Sequence, residues 1–157
     1  MRIGDVSFWY ADIGLPYRRA ALAGDTTADV AIIGAGYTGL WTAYYLKRAN
    51  PGLDVLVIEK DFAGFGASGR NGGWLTGGFA WTHRRYLETS SEQAVRAMVE
   101  AMNGTVDEVI RVAEAEGVEA DIHRTDELMV ATKPAQLGRM QAEVAHRRHW
   151  GEEGRVF

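Results

Sequence analysis

Three glycines stand at the spacing Gly-x-Gly-x-x-Gly directly after a short apolar run: Gly34, Gly36 and Gly39. Each of these three positions is expected to require glycine for a different reason. The first permits a tight turn, the second lets a diphosphate approach the backbone, and the third lets a helix pack closely on a strand. The spacing therefore predicts a site for the diphosphate of a dinucleotide.

An acid, Glu59, closes the next apolar run, twenty residues after Gly39. A carboxylate at the end of a strand can accept both hydroxyls of a ribose. A 2′-phosphate would meet like charge there, so NADP is disfavoured, while FAD and NAD both stay open. A unit that binds nothing is the alternative. Ala43, which continues the close packing four residues after Gly39, adds to the case for a ligand.

A second glycine-rich stretch, 61–80, follows Glu59. Large apolar side chains are interleaved with its glycines, which favours a loop that packs over a flexible linker. Dense glycine lets backbone N–H groups converge on an anion or a flat ring, and Ser68, Arg70 and Asn71 add side-chain donors. Arg70 is a candidate for placing positive charge near the electron-rich ring of a cofactor. A surface arginine without a partner is the commoner alternative.

The elements that must position these residues are a strand, a helix and a second strand. The run Val30–Ile33 predicts a strand buried on both faces, 37–48 a helix, and 54–58 a second, parallel strand. The helix offers N–H groups and its positive dipole end to phosphate, and Asn50-Pro51-Gly52 ends it. Two parallel strands call for neighbours, so the predicted α/β sheet is incomplete. The helix residues expected on the buried side are Leu40, Ala43, Tyr44 and Leu46.

Residues 1–28 show no sustained period and predict an irregular arm across the body, anchored by Trp9 and Tyr10. A disordered tail is the alternative. Beyond the glycine stretch, Ser90 stands three residues before Gln93, a capping-box spacing that predicts the start of a helix. The apolar residues that follow recur at steps of three and four, on one helical face: Val95, Met98, Met102, Val106, Val109 and Ala113.

The pair Asn103-Gly104 interrupts this helical pattern, and Thr105 begins a second capping-box spacing. We therefore expect a kink, or two helices that end near Gly117. The run ELMVAT, 127–132, predicts a strand, and Pro134 opens a helix that continues to about Trp150, with Leu137, Met140 and Val144 as its apolar stripe. A further strand is expected to begin at the end of the sequence.

Composition excludes several classes of protein. With 157 residues, 46% hydrophobic and 24% charged, the chain predicts one soluble domain without a membrane span. A net charge of -4 argues against nucleic-acid binding. The absence of cysteine excludes disulfides, thiolate metal sites and a flavin attached through cysteine within this segment. No apolar signal core is present at the start, so a cytoplasmic location is expected.

No nucleophile arrangement of the Ser/His/Asp or Cys/His type can be argued from the sequence. Glu143, His146 and His149 are three residues apart, so neighbouring members could share a helical face. A solvated basic helix end is favoured over a metal site, because zinc requires three or four ligands in a fixed geometry. No metal is predicted.

Two segments together, GAGYTG…VIEK and GFGASGRNGGW, resemble the N-terminal part of the FAD-dependent D-amino-acid-oxidase-like (DAO) family, especially its γ-glutamylputrescine oxidoreductase-like branch. The resemblance extends from the Trp9-Tyr10 arm through ELMVAT, and ASGRNGG is far more specific than the glycine triplet. It implies that FAD diphosphate is held by residues 34–39 and its ribose by Glu59. The residues implied at the diphosphate are Gly34, Ala35, Gly36, Tyr37, Thr38 and Gly39. Those implied closer to the flavin are Ser68, Arg70, Asn71 and Gly72.

The resemblance also implies a domain division and a reaction. The division is an arm over 1–28, a Rossmann-like FAD-binding segment over 29–89, and a helical segment over 90–157 that begins an α+β substrate domain. The reaction is hydride transfer from the C–H next to nitrogen of an amine or amino acid to non-covalent FAD, with reoxidation by dioxygen or another acceptor.

Family members run to several hundred residues, and their later segments complete the sheet and build the substrate pocket. We therefore expect that the chain is an N-terminal portion whose partner is the missing C-terminal part, and that it is inactive alone. A non-catalytic dinucleotide-binding fragment or gene remnant is the alternative. An NAD enzyme is less favoured, because an NAD fold normally continues into further βα units after Glu59.

Overall fold

A computed structural model describes residues 7–152 of the chain, which divide between two units, Met1–Trp74 and Leu75–Phe157. The domain boundaries expected after residues 28 and 89 stay a prediction. The elements of the first unit are α1 (Phe8–Ile13), β1 (Val30–Ile33), α2 (Tyr37–Ala49), β2 (Val55–Ile58) and a 3₁₀ turn (Ala67–Gly69). Those of the second unit are α3 (His83–Leu87), α4 (Glu92–Ala115) and α5 (Pro134–His149).

In the first unit β1 and β2 pair in parallel, in a register that runs from Val30 opposite Val55 to Ile33 opposite Ile58. Parallel neighbours need a crossover connection, and α2 supplies it. The side chain of Asp29 accepts a hydrogen bond from the Asp54 N–H at 2.8 Å, which pins the start of the register. The predicted strand–helix–strand order is therefore confirmed, with boundaries within one residue of those expected.

The two-stranded sheet is exposed along part of its apolar surface. Ala31 and Ile33 of β1 are exposed, Ile33 by 81% of its surface, so the expectation of a strand buried on both faces is wrong for this chain. Nor is any residue of α2, all of which are described, fully buried, and Leu40 is 44% exposed. The physical reason is that two strands and one helix provide too few neighbours to cover both faces of a sheet.

In the second unit α4 has well-formed ends. Ser91 is its N-cap, and the Ser91 hydroxyl accepts the Ala94 N–H at 3.2 Å. The capping residue expected from the sequence was Ser90, one position too early. At the other end Gly117 adopts φ +64° and the Val118 N–H donates to the Ala113 carbonyl at 2.8 Å, a pattern that closes helix carbonyls.

Helix α4 runs without a break through Asn103-Gly104, so the expectation of two helices is wrong. The Thr105 hydroxyl donates to the Ala101 carbonyl at 3.0 Å instead of capping a new helix. A Cβ on Gly77 would lie 2.4 Å from the side-chain oxygen of Asn103 and 2.9 Å from its backbone nitrogen. The loop before α3 therefore packs directly on this part of α4.

The core of the second unit is a cluster of Val95, Val99 and Trp150, with Phe79 and Tyr86 packed against it. His83, on the unpredicted helix α3, stacks on Trp150 with ring centroids 4.7 Å apart and planes 5° apart. Helix α5 begins at Pro134 as predicted. Within the described residues no helix combines the length and apolar character that crossing a membrane requires.

Two further expectations about regular structure are wrong. Residues 1–28 contain a short helix, α1, and are not irregular throughout. The predicted strand 127–132 has no regular structure, and residues 75–152, the described part of the second unit, contain no strand. Leu128 and Val130 are 78% and 68% exposed, because no neighbouring strand pairs with this run. The strand expected at the end of the sequence falls outside the described residues.

Candidate functional site

The turn between β1 and α2 has the geometry that was predicted for Gly34 and Gly39. Gly34 adopts φ +99°, a left-handed conformation that favours glycine, and its N–H donates to the Ile58 carbonyl at 2.7 Å. A Cβ on Gly39 would lie 2.0 Å from the Gly34 carbonyl oxygen. Only a hydrogen fits there, so the close packing of helix on strand predicted for Gly39 is confirmed.

The start of α2 meets the second glycine stretch. The Tyr37 N–H donates to the Ser68 hydroxyl at 3.0 Å, and a Cβ on Gly36 would lie 2.9 Å from that same oxygen. The Gly64 N–H donates to the Ala35 carbonyl at 2.9 Å. The structure thus brings together the two motifs that the sequence separates by some thirty residues.

Glu59 lies under the turn. Its Oε2 accepts the Ala35 N–H at 2.9 Å and its Oε1 accepts the Asp61 N–H at 3.0 Å. These bonds, that from Ala35 first, lower the pKa of Glu59 below its ordinary 4.5 against the opposing effect of burial. Glu59 is therefore anionic at neutral pH. Its two hydrogen bonds stabilise the turn, independently of any contact with a ligand. Its contact with a ribose stays a prediction.

Asn71 ties the second stretch to α2 through its side-chain amide. Its Nδ2 donates to the Tyr37 hydroxyl at 3.1 Å and to the Ser68 carbonyl at 2.7 Å, while its Oδ1 accepts the Gly73 N–H at 2.8 Å. For residues 68–73 these bonds confirm the interpretation of the stretch as a loop that packs, and not as a linker, whereas Trp74 is 75% exposed.

Arg70 has partners within its own loop. Its Nε donates to the Phe65 carbonyl at 2.8 Å, and its guanidinium carbon lies 4.7 Å from the centroid of the Phe65 ring. The alternative of a partnerless surface arginine is therefore wrong, whereas charge near a cofactor ring stays a prediction. Gly72 and Thr38 are both exposed, and a Cβ on Gly72 would meet nothing within 4 Å. Nothing in the loop itself requires glycine at that position.

The N-terminal arm reaches the same loop. The Trp9 indole N–H donates to the Asn71 carbonyl at 2.7 Å and the Tyr10 hydroxyl to the Gly64 carbonyl at 2.5 Å, so both predicted anchors are confirmed. Sequence reasoning missed Ser7, whose hydroxyl donates to the Gly69 carbonyl at 3.1 Å. Its signal in the sequence is weak, because a serine before a short helix is expected to cap that helix.

The three residues weighed as metal ligands have other partners. Glu143 accepts the Arg147 Nε–H at 3.0 Å, His146 lies 3.1 Å from the His83 ring nitrogen, and His149 lies 3.5 Å from a Glu92 oxygen. In the described part of the chain no group of three or more His, Cys, Asp or Glu side chains is placed to hold a metal ion.

Comparison with known proteins gives one family and several curated relatives. The family model described as DAO, FAD dependent oxidoreductase, matches residues 29–157. Gamma-glutamylputrescine oxidoreductase of Escherichia coli K12 is 52% identical over 54 residues, 34% of this chain and 12% of that protein. A probable oxidoreductase OrdL of Rhizobium meliloti is 42% identical over 98 residues, 60% of this chain and 22% of that protein.

A second probable oxidoreductase OrdL, from Haemophilus influenzae, is 35% identical over 94 residues, 60% of this chain and 21% of that protein. The matched part of the chain thus spans at most about a fifth of the length of these three relatives. No solved structure gives a comparable match.

Proposed function

The chain belongs to the DAO family of FAD-dependent oxidoreductases, and on that premise we propose that the complete protein oxidises a small amine or amino acid. The observation that carries the proposal is the junction of the two glycine motifs, where the Ser68 hydroxyl accepts the Tyr37 N–H at the start of α2. The family match over residues 29–157 includes both motifs, and their junction supports a binding role for them. FAD is the cofactor that this family membership implies.

The residues present fit the diphosphate of FAD. The first turn of α2 contains no acidic side chain, and its earliest N–H groups precede any acceptor within the helix. Those of Gly36 and Thr38 would hold a phosphate, assisted by the positive end of the helix dipole. Gly34 and Gly39 keep the turn close to the sheet. The Ser68 hydroxyl supports the turn at Gly36, where the absence of a side chain leaves room for it.

Glu59 would hold the adenosine ribose through its charge. Because each carboxylate oxygen has lone pairs beyond the one used by a backbone N–H, Glu59 can still accept ribose hydroxyls. Its anionic state disfavours a 2′-phosphate, in keeping with FAD and against NADP. Arg70 and Asn71, which are fixed within the second loop, would lie toward the flavin.

The proposed reaction removes two electrons and a proton as hydride from the C–H next to the substrate nitrogen, which leaves an imine after loss of the N–H proton. FAD, when bound, supplies the hydride acceptor. The amine class is supported by the name of one relative, gamma-glutamylputrescine oxidoreductase.

The test is to purify the complete protein, extract its cofactor, and mix the protein anaerobically with a panel of amines and amino acids. We expect a yellow protein that releases FAD and whose flavin absorption bleaches with at least one amine. A colourless protein that binds NAD on calorimetry would overturn the assignment. A yellow protein that no amine bleaches would retain the cofactor and overturn the substrate class.

A second candidate concerns residues 1–157 by themselves, as a dinucleotide-binding segment without catalysis. The exposed face of β1, with Ile33 81% exposed, favours it, because such a face in a parallel sheet is normally covered. Expressed alone, these residues are expected to bind FAD weakly and to form no hydrogen peroxide from amines. Cooperative melting with stoichiometric FAD and amine turnover would contradict this candidate.

A further inference from the structure

Three side-chain donors from one short segment reach three backbone carbonyls of the second glycine loop. The segment is residues 7–10, and the carbonyls lie 54 to 62 residues further along the chain. The bonds run from Ser7 to Gly69, from Trp9 to Asn71 and from Tyr10 to Gly64. We call residues 7–10 the clamp segment. Such a set of long-range bonds fixes a loop that glycine would otherwise leave mobile.

The hydroxyl of Ser7 does not cap the helix that follows it. Ser7 is the N-cap residue of α1, yet it makes no side-chain capping bond and donates to Gly69 instead. The side chain is also buried, with 4% of its surface exposed. A buried hydroxyl needs a partner, so its placement follows from the loop and not from the helix.

Tyr10 shapes the loop as well as bonding to it. Its ring is buried and meets Phe62 edge to face, with centroids 5.3 Å apart. A Cβ on Gly69 would lie 2.2 Å from the Tyr10 hydroxyl and 2.2 Å from the Gly64 carbonyl oxygen. The loop therefore closes around this hydroxyl, and glycine at position 69 is required by it.

The loop that the clamp segment holds is the one that braces the turn. Between the carbonyls of Gly64 and Asn71, both held by the clamp segment, lies Ser68, whose hydroxyl accepts the Tyr37 N–H. The Asn71 amide in turn donates to the Tyr37 hydroxyl. A continuous path of contacts thus runs from the N-terminal arm through the loop to the start of α2.

We propose that Ser7, Trp9 and Tyr10 are positioning residues for FAD, which set the second glycine loop in its binding conformation before the cofactor arrives. The inference rests on the proposed FAD site. Pre-ordering removes part of the conformational entropy that ligand binding would otherwise cost. The affinity for FAD therefore depends on three side chains that act through the loop.

The test uses Tyr10→Phe in the complete protein, because phenylalanine keeps the buried ring and removes the hydroxyl. Two quantities are measured: hydrogen–deuterium exchange without FAD, and FAD affinity by titration of flavin fluorescence. We expect faster exchange confined to residues 64–74 and an affinity lower by about tenfold. Tyr17→Phe, a matched change at a ring that is 89% exposed, is expected to alter neither.

Trp9→Phe removes the indole donor and is expected to have the same local effect, with Trp81→Phe, at a side chain 66% exposed, as its control. Unchanged exchange and affinity in both clamp variants would overturn the inference. Faster exchange throughout the first unit would also overturn it, since the segment would then support the unit as a whole. A wild-type protein that binds no FAD would instead overturn the proposed function, and this is established before the variants are compared.

Discussion

The two units differ in the contacts that join their distant segments. In the first, distant segments meet by bonds to backbone groups, such as Glu59 on the Ala35 N–H and Tyr10 on the Gly64 carbonyl. In the second, helices pack around Val95, Val99 and Trp150. The first unit should therefore respond most to the loss of these polar atoms, and the second to the loss of side-chain volume.

Strand β1 and helix α4 also differ in how completely their apolar residues are covered. Ile33 in the first unit is 81% exposed, whereas Val95 in the second is 2% exposed. A parallel sheet is built to be covered, while a helical cluster can bury one face by itself. The turn proposed to hold the diphosphate is therefore formed without a completed hydrophobic core around it.

The largest effect is expected from a substitution in the hydrophobic core of the second unit. Trp150→Ala should reduce the free energy of unfolding of that unit by about 3–5 kcal/mol, because a 5% exposed side chain leaves a cavity. This loss is measured by denaturant unfolding that is monitored through the hydrogen exchange of α4. Trp150→Phe should cost less, since it keeps a ring and removes an indole N–H that has no partner among the described residues. Equal losses from both variants would contradict the packing account.

A pair of glycine substitutions contrasts the units directly. Gly39→Ala should destabilise the first unit by roughly 3 kcal/mol and abolish FAD binding, because its Cβ would lie 2.0 Å from a backbone oxygen that cannot move aside. Gly104→Ala, inside α4, should stabilise the second unit by about 0.5–1 kcal/mol, because nothing lies within 4 Å and alanine favours helix. Thermal unfolding and FAD titration of both variants check this. A tolerated Gly39→Ala would show that helix and sheet are not in close contact.

Glu59→Ala tests whether one polar side chain controls the ligand site. It removes a charged acceptor from two backbone N–H groups and from the proposed ribose contact, worth about 1.5–3 kcal/mol. FAD affinity should fall by roughly tenfold to a hundredfold, measured by calorimetry. Glu119→Ala, at an exposed acid of the second unit, is the control. Unchanged affinity would make Glu59 irrelevant to the cofactor.

The smallest expected effect is a difference between the two units in the pH at which each loses stability. Burial, and then the nearby His146, lower the pKa of His83 below its ordinary 6.5. Glu152 and Glu143 oppose the shift, and His149 adds to it. Because the unfolded chain binds the proton more readily, this contribution to stability is complete above pH 6.5 and declines as the pH falls through the lowered pKa.

The corresponding window for the first unit lies lower. The pKa of Glu59 is depressed from 4.5, so its contribution is complete above that value and is lost only as the pH falls through the depressed pKa. Hydrogen exchange from about pH 7 to about pH 5 should therefore show α3 and α5 loosening first. His83→Phe, which keeps a ring against Trp150, should abolish the difference. Simultaneous loosening of both units would contradict it.

The parts of the fold that the sequence predicted are those governed by local pattern. Val30–Ile33 and the glycine triplet are adjacent in sequence, so period and turn chemistry were enough to predict β1, the turn and α2. Pro134 likewise marked the start of α5. Ser91, not Ser90, caps α4, an error of one residue that is common where two adjacent residues can both cap.

The parts that could not be predicted depend on contacts between distant residues. The run 127–132 has strand composition, but a strand needs a hydrogen-bonding neighbour, which composition does not specify. The continuity of α4 through Gly104 depends on tertiary packing that overrides a weak helix former. The bond from Ser7 to Gly69 spans 62 residues, and no local signal announces it.

The position of Asn71 also bears on how the molecule ages. Asparagine followed by glycine is the pair most open to loss of the side-chain amide nitrogen, and the chain has two such pairs, Asn71-Gly72 and Asn103-Gly104. In α4 the helical backbone restrains the attacking nitrogen of Gly104. At Asn71 the loss would replace a donor with a carboxylate facing the Ser68 carbonyl, whose oxygen now accepts that donor at 2.7 Å. A single event of chemical ageing would therefore remove the donor that joins Asn71 to the Tyr37 hydroxyl of α2 and leave the Ser68 hydroxyl as the remaining side-chain contact of the loop with that helix.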